Sequence, residues 1–321
     1  MSLYPRNLNE YVASMGIPRG PKSKVFIYDP VNGSDSNPGT TWQAPLKSLE
    51  AAEALCTPNQ HDCVLALAGA TADNPTATIA WDKSYTHLIG VGSELPGLGQ
   101  RSRVVNAAAT VMHGPVITFS GNGCIVKNIQ FGNEHGTGTA TGVVLVTGER
   151  NYFKNVFFMV PFATDAGSCS LKITDGGENV FERCTIGQQT CVRTAATYNL
   201  WIALGTGEAN PTRNKFIDCE FLSWSSVTTH VHVLIDADIT AEAFSLHFQD
   251  CRFLNFPGSG EAGGLLAESI NDNMVKYHQV PFWGKNSFGG CTTAGTTLTY
   301  MLVQHFSHGG LMEAMAENAE T

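Results

Sequence analysis

Five segments in the middle of the chain repeat one pattern, and this repetition limits the fold more than any other feature. They read GPVITFSGNGCIVKNIQF (114–131), GVVLVTGERNYFKNVFF (142–158), SLKITDGGENVFERCTI (170–186), NLWIALGTGEANPTRNKFIDCEF (199–221) and VHVLIDADITAEAFSLHFQDCRF (231–253). Each has a short apolar strand, a Gly/Asn turn, an aromatic, a polar pair, then Asn or Cys and another apolar residue. The Asn/Cys position falls at Asn128, Asn155, Cys184, Cys219 and Cys251, at intervals of 27, 29, 35 and 32 residues. That period is too long for a hairpin meander and contains no helical interlude. Period-two alternation, as in Val143/Leu145 and Phe153/Asn155/Phe157, marks strands. One such unit cannot bury its own apolar face, whereas stacked units can, so the repeat predicts a solenoid. Equivalent residues would then lie one above another. Cys184, Cys219 and Cys251 are expected as a ladder of small buried residues, with Asn128 and Asn155 continuing it by hydrogen bonds along the stack. Phenylalanines recurring with the repeat, such as Phe153, Phe181, Phe216 and Phe248, belong to the core.

Composition agrees. The 321 residues include 33 glycines, 43% are hydrophobic, and 15% are charged, against roughly 25% in an average soluble protein. An elongated all-β domain can hold this length as one unit. The net charge of −9, with no basic run, argues against a nucleic-acid partner, which requires a positive surface. No apolar run approaches the roughly 18 residues that span a bilayer, so no membrane partner is expected. The first residues lack a basic region followed by an apolar core, so no Sec-type signal is expected. Nine cysteines cannot all pair within the chain. No CxxC or zinc-ligand spacing occurs, and no cofactor is expected.

The chain divides by pattern into a short N-terminal arm with a helix (1–23), an opening and capping segment (24–110), the repeated coils (111–308) and an acidic tail (309–321). In the arm, Asn7 and Glu10 resemble a capping box, and Leu8, Tyr11, Val12 and Met15 share one helical face that has no local partner and would dock either on the solenoid or on a partner. Leu46, Leu49, Ala52 and Leu55 mark a second short helix, suited to covering the first coil's exposed edge.

The run VFIYDPVNGSDSNPGTTWQAPLKSLEAAEAL (25–55) resembles the opening of right-handed parallel β-helix proteins of the pectate-lyase-like superfamily. That opening has a strand, a G-x-D-x-N-x-G turn, a proline and a capping helix. IVKNIQF, NVFERCTI and NKFIDCEF resemble the superfamily's stacked-coil motif. The resemblance covers roughly residues 24–290. It implies an all-β, right-handed parallel β-helix with a short N-terminal helical cap. The fold serves lyases, hydrolases, esterases, tailspikes and inert shells, so it does not by itself fix a function. The segment DCVLALAG…TIAWDKSYTHLIGVGSELPGLGQRSRV (62–104) is similar to what precedes the first regular coil in phage virion proteins of this fold.

Catalytic strings of the superfamily's well-known enzymes, such as NTD with GHG and RIK, WIDH, or DFIFG, do not appear; the nearest approach is SHGG (307–310). Asp236 and Asp238, two apart at the end of the strand Val231–Ile235, would face one way and could share acid/base work or a cation, or simply form a solvated turn. His230 and His232 form an H-x-H that could be a structural pair, sit on a trimer axis, or ligate a metal with a third partner that the sequence does not identify. Trp224 and Trp283 lie between coils and are candidates for glycan contact. The loop 32–37 is rich in oxygen ligands but lacks EF-hand spacing, and reads as a turn held by Asx hydrogen bonds. Cys56 and Cys63 are either free thiols or a pair. Together these features favour a non-enzymatic phage virion protein, a capsid decoration or tail accessory protein. It would be made in the host cytoplasm, trimerise with itself and contact the major capsid protein, with residues 1–20 as its attachment arm. The alternatives are a carbohydrate-active β-helix enzyme, a tailspike depolymerase or polysaccharide lyase, using Asp236 and Asp238, and a surface-glycan-binding adhesin.

Overall fold

The computed structural model describes residues 8–69, 72–92, 102–107, 112–134, 142–160, 166–205, 211–225, 227, 229–236, 239, 246–256, 267–270, 282–289, 291–292 and 303–304. The strands wind into three parallel sheets of ten, seven and eight strands. One turn visits each sheet once: Tyr152–Lys154 in the first, Phe157–Phe158 in the second, Cys169–Thr174 in the third, and then Val180–Glu182 back in the first. The chain is a right-handed parallel β-helix. Its interior is one continuous apolar cluster running from Phe26 to Phe253.

Aromatic files run through that interior. Phe153, Phe181, Phe216 and Phe248 lie in register on successive first-sheet strands. Their ring centroids are 4.8, 4.6 and 5.3 Å apart. Stacking at the strand spacing, about 4.8 Å, lets each ring meet the next without a rotamer change. Phe221 and Phe253 repeat the arrangement on the second sheet at 4.6 Å.

The single ladder expected through Asn128, Asn155, Cys184, Cys219 and Cys251 is in fact two columns, one residue apart. Strand register aligns Asn128 and Asn155 with Arg183, Asp218 and Asp250. All five turn the corner from the first to the second sheet with φ between 51° and 55°, the left-handed region that Asn and Asp tolerate best. Asn155 Nδ2 donates to Asn128 Oδ1 at 2.9 Å. The cysteines follow one position later, in a column with Ile129 and Val156, and all are buried. Each thiol reaches back to the phenylalanine carbonyl of the preceding coil: Cys184 to Phe153 at 3.5 Å, Cys219 to Phe181 at 3.3 Å and Cys251 to Phe216 at 3.5 Å. In the next coil Asn286 takes over, donating to the Phe248 carbonyl at 3.3 Å. A further buried asparagine ladder, Asn151, Asn179 and Asn214, holds the corner from the third sheet to the first. Their Oδ1 atoms accept the N–H groups of Cys124, Asn151 and Asn179 at 2.8, 2.9 and 3.1 Å.

The second helix, α2 (Leu49–Leu55), covers the first coil. Ser48 caps it, accepting the Ala51 N–H at 3.2 Å. Leu46, Leu49 and Ala52 point into the core, while Leu55 is exposed and Cys56 is buried in its stead. The first helix, α1 (Leu8–Ser14), lies on the outer face of the first sheet. There Val12 and Ile17 pack against Val25, Cys63, Leu65 and Ile89. Of the two expected partners for this face, residues 8–17 meet the chain's own solenoid; residues 1–7 lie outside the described residues. The boundary expected at 110/111 separates no sheet, because pairing runs unbroken from Val25–Tyr28 through Cys63–Leu67 and His87–Val91 into Ile125–Lys127. The tail 309–321 also lies outside the described residues.

Candidate functional site

Alternation along the third-sheet strands sends Leu171/Ile173, Leu200/Ile202 and Val233/Ile235 into the core. The intervening residues face outward. In register they form one row, Thr118, Leu145, Lys172, Trp201 and Leu234, all half-buried. An outward row with three large apolar members is unusual for a solvated sheet face. At its centre Lys172 Nζ sits 3.6 Å from the Trp201 ring centroid, a close cation–π contact. The other edge of that indole is also engaged, because Nε1 donates to Asp236 Oδ1 at 2.7 Å. Tyr198 packs edge-on to the same indole at 5.6 Å. Partial burial, then the charge of Asp236, raises the Tyr198 hydroxyl pKa and keeps it protonated.

Asp236 is therefore on an outer face beside an aromatic and a cation, as acid/base work would require, but its carboxylate is committed to the indole. Asp238 lies outside the described residues. Trp201, Lys172 and Tyr198 were not singled out from sequence. Their signal is the alternation in NLWIA (199–203): with Leu200 and Ile202 inside, Trp201 must face out.

His230 and His232 lie elsewhere. Neither has any exposure, so neither can sit on an axis between subunits. His230 Nδ1 meets Thr197 Oγ1 at 2.9 Å, and His232 Nδ1 meets Asn199 Nδ2 at 2.8 Å. Burial drives both toward the neutral form. His232 is pushed down to about 3; His230 falls well below its ordinary value, with His232 and Arg193 adding repulsion. Among the described residues no three His, Cys, Asp or Glu side chains converge as metal ligands.

Trp224 is half-buried on the outward side of the second-sheet strand Glu220–Ser225, opposite Val192. Trp283 falls in the first-sheet strand Phe282–Trp283, and its side chain is outside the described part. In the turn after the first strand the acids serve the backbone. Asp29 Oδ1 accepts from Val31 and Asn32 at 2.9 and 3.1 Å, and Asp35 Oδ1 accepts from Lys47 and Ser48 at 2.9 Å each. Cys56 and Cys63 are buried free thiols. Burial raises both pKa values, Cys63 to about 12, so neither is a reactive thiolate at neutral pH.

No protein-family model matches the sequence, and no curated protein is significantly similar to it. Solved structures do resemble the fold. The crystal structure of pectate lyase Pel9A superposes with a TM-score of 0.54 at 14% identity, over 84% of this chain. The match takes in 63% of that enzyme, so this chain spans less than two thirds of its length. Pectin methylesterase PemA from Erwinia chrysanthemi gives a TM-score of 0.47 at 13% identity, over 87% of this chain and 92% of that one. ORF18 of Geobacillus virus E2 gives 0.43 at 12%, over 76% and 55%. At these identities the likeness is one of fold.

Proposed function

We propose that the chain is a non-enzymatic structural protein of a phage virion, a capsid decoration protein that packs side by side with copies of itself as a homotrimer and seats on the major capsid protein. The observation that carries this reading is the outward row of the third sheet. Leu145, Trp201 and Leu234 give it apolar area, and Lys172 and Asp236 are held by the indole between them. A face whose outward row is largely apolar, with its lysine lying against the indole and its aspartate hydrogen-bonded to it, is suited to packing against protein. The similarity of residues 62–104 to virion proteins of this fold supports the same reading.

The expected behaviour of the purified chain is a trimer by light scattering that Leu145→Glu together with Leu234→Glu reduces to a folded monomer. No release of reducing ends is expected from polygalacturonate, pectin or host surface polysaccharide. The alternative with an observation behind it is a carbohydrate-active enzyme or glycan-binding adhesin, because Asp236, Trp201 and Lys172 adjoin on one open face. Polysaccharide cleavage abolished by Asp236→Asn would establish the enzyme. Saturable glycan binding without turnover, lost in Trp201→Ala, would establish the adhesin. Either result would overturn the structural role.

A further inference from the structure

The second sheet carries an outward apolar patch of its own. Along Glu220–Ser225, Phe221 and Ser223 turn inward and are buried, so Leu222 and Trp224 face out. Arg252–Asn255 repeats the alternation, with Phe253 inside and Leu254 outside, in register with Leu222. Phe256 extends that ladder, its N–H donating to the Ser223 carbonyl at 2.9 Å, which sets it beside Trp224. On the other side of Trp224 lies Val192, brought into register by a β-bulge between Gly187 and Val192. Val192, Leu222, Trp224 and Leu254 are half-buried, and Phe256 is 43% exposed. The outward charges of these strands, Glu220 and Arg252, pair with each other at 2.9 Å. Five adjoining apolar side chains, two of them aromatic, exceed what a solvated sheet face ordinarily shows.

Symmetry limits what covers this patch, given the homotrimer proposed above, on which this inference rests. One face meeting its own copy is a two-fold contact and ends at a dimer. A ring of three identical chains is instead built head to tail, one face of each chain meeting a different face of the next. The outward row of the third sheet therefore needs a counterface elsewhere on the chain. The second-sheet patch fits in chemistry, since each face sets aliphatic side chains beside an outward indole. It also fits in level. Val192 precedes Trp201 in one turn of the solenoid, and Trp224 precedes Leu234 in the next. Faces that share turns can meet around an axis parallel to the solenoid with no rise from copy to copy. A contact without rise closes into a ring rather than growing into a filament.

We infer that Val192, Leu222, Trp224, Leu254 and Phe256 form the surface that receives the third-sheet row, from Leu145 to Leu234, of a second copy of this chain.

Light scattering on variants of the full chain tests it. Trp224→Ser together with Phe256→Ser is expected to lower the mass from three chains to one, with the far-ultraviolet spectrum unchanged. Leu254→Lys alone serves the same purpose if that pair perturbs the spectrum. Leu145→Glu with Leu234→Glu breaks the ring from the other side. Neither variant can close a ring, but each keeps the face that the other has lost. Their equimolar mixture is therefore expected to give a one-to-one pair of two chain masses that neither forms alone. The mixture is read up to about a hundredfold above the concentration at which the parent is a trimer, because one junction holds the pair where three close the ring. A second-sheet variant that remains trimeric would overturn the inference while leaving the assembly standing, and so would a mixture that stays at one chain mass. A parent of one chain mass would remove the assembly itself, and the inference with it.

Discussion

His230 and His232 occupy the solenoid interior, where a charged imidazolium has no water, and His87 is also fully buried, on the first sheet in register with Cys63 and Ile125. The Nδ1 of His87 accepts the Ile125 N–H at 3.1 Å, which fixes it as neutral with the proton on Nε2. Burial, with the charges of His61, Arg19 and Lys127 behind it, pushes it down to about 3. The unfolded chain titrates these groups near their ordinary value, about 6.5. Below that pH the unfolded state takes up protons that the folded state refuses. Stability is therefore full above about pH 6.5 and is lost as pH falls toward 3, each histidine contributing up to about 1.4 kcal/mol per pH unit. A melting series between pH 7 and 4.5 should show this slope, and His232→Leu should flatten it by one histidine's share. An unchanged slope in that variant would rule His232 out as a source. The same scale shows what sequence left hidden. Asn128 and Cys184 read as one column because both are small and an apolar residue follows each within two positions. Only the positive φ, which favours Asn and Asp in D-C, N-I and N-V steps alike, separates the corner residue from the buried one after it.

Whole elements depend on two contacts of different visibility. The phenylalanine file was legible, because its aromatics recur with the repeat and have nowhere to go but inward. Phe216 stacks between Phe181 and Phe248, so Phe216→Ala opens a hole that both neighbours line. A loss of about 3–5 kcal/mol is expected by denaturant titration; a loss below 1 kcal/mol would mean that the file collapses around the gap. The docking of α1 was only half legible. Its amphipathic face predicted a partner, but the partner, the outer face of Val25, Leu65 and Ile89, looks in sequence like any buried strand of a parallel sheet. Val12→Asp should place an unpaired carboxylate in that contact, lower the melting temperature by the equivalent of about 2 kcal/mol or more, and expose apolar surface to dye. A variant that melts like the parent would show that α1 contributes nothing to the fold. Trp201 belongs to the same lesson. Its outward direction follows from alternation, yet its ties to Lys172 and Asp236 join residues 29 and 35 positions away, beyond the reach of local pattern.

At the scale of the molecule, the repeat and the opening segment made the right-handed β-helix legible, since only stacking can bury so many short apolar strands. The site was much less legible. Sequence proximity nominated Asp236 with Asp238 and His230 with His232, whereas the fold unites residues from successive coils and buries the histidines. The proposed packing face between copies of this chain is the third sheet's outward row, from Thr118 to Leu234. Multi-angle light scattering of the purified chain over a hundredfold range of concentration tests it most directly. Three chain masses are expected for the parent and one for the Leu145→Glu, Leu234→Glu variant, with the far-ultraviolet spectrum unchanged. A parent that stays at one chain mass throughout the range would contradict it.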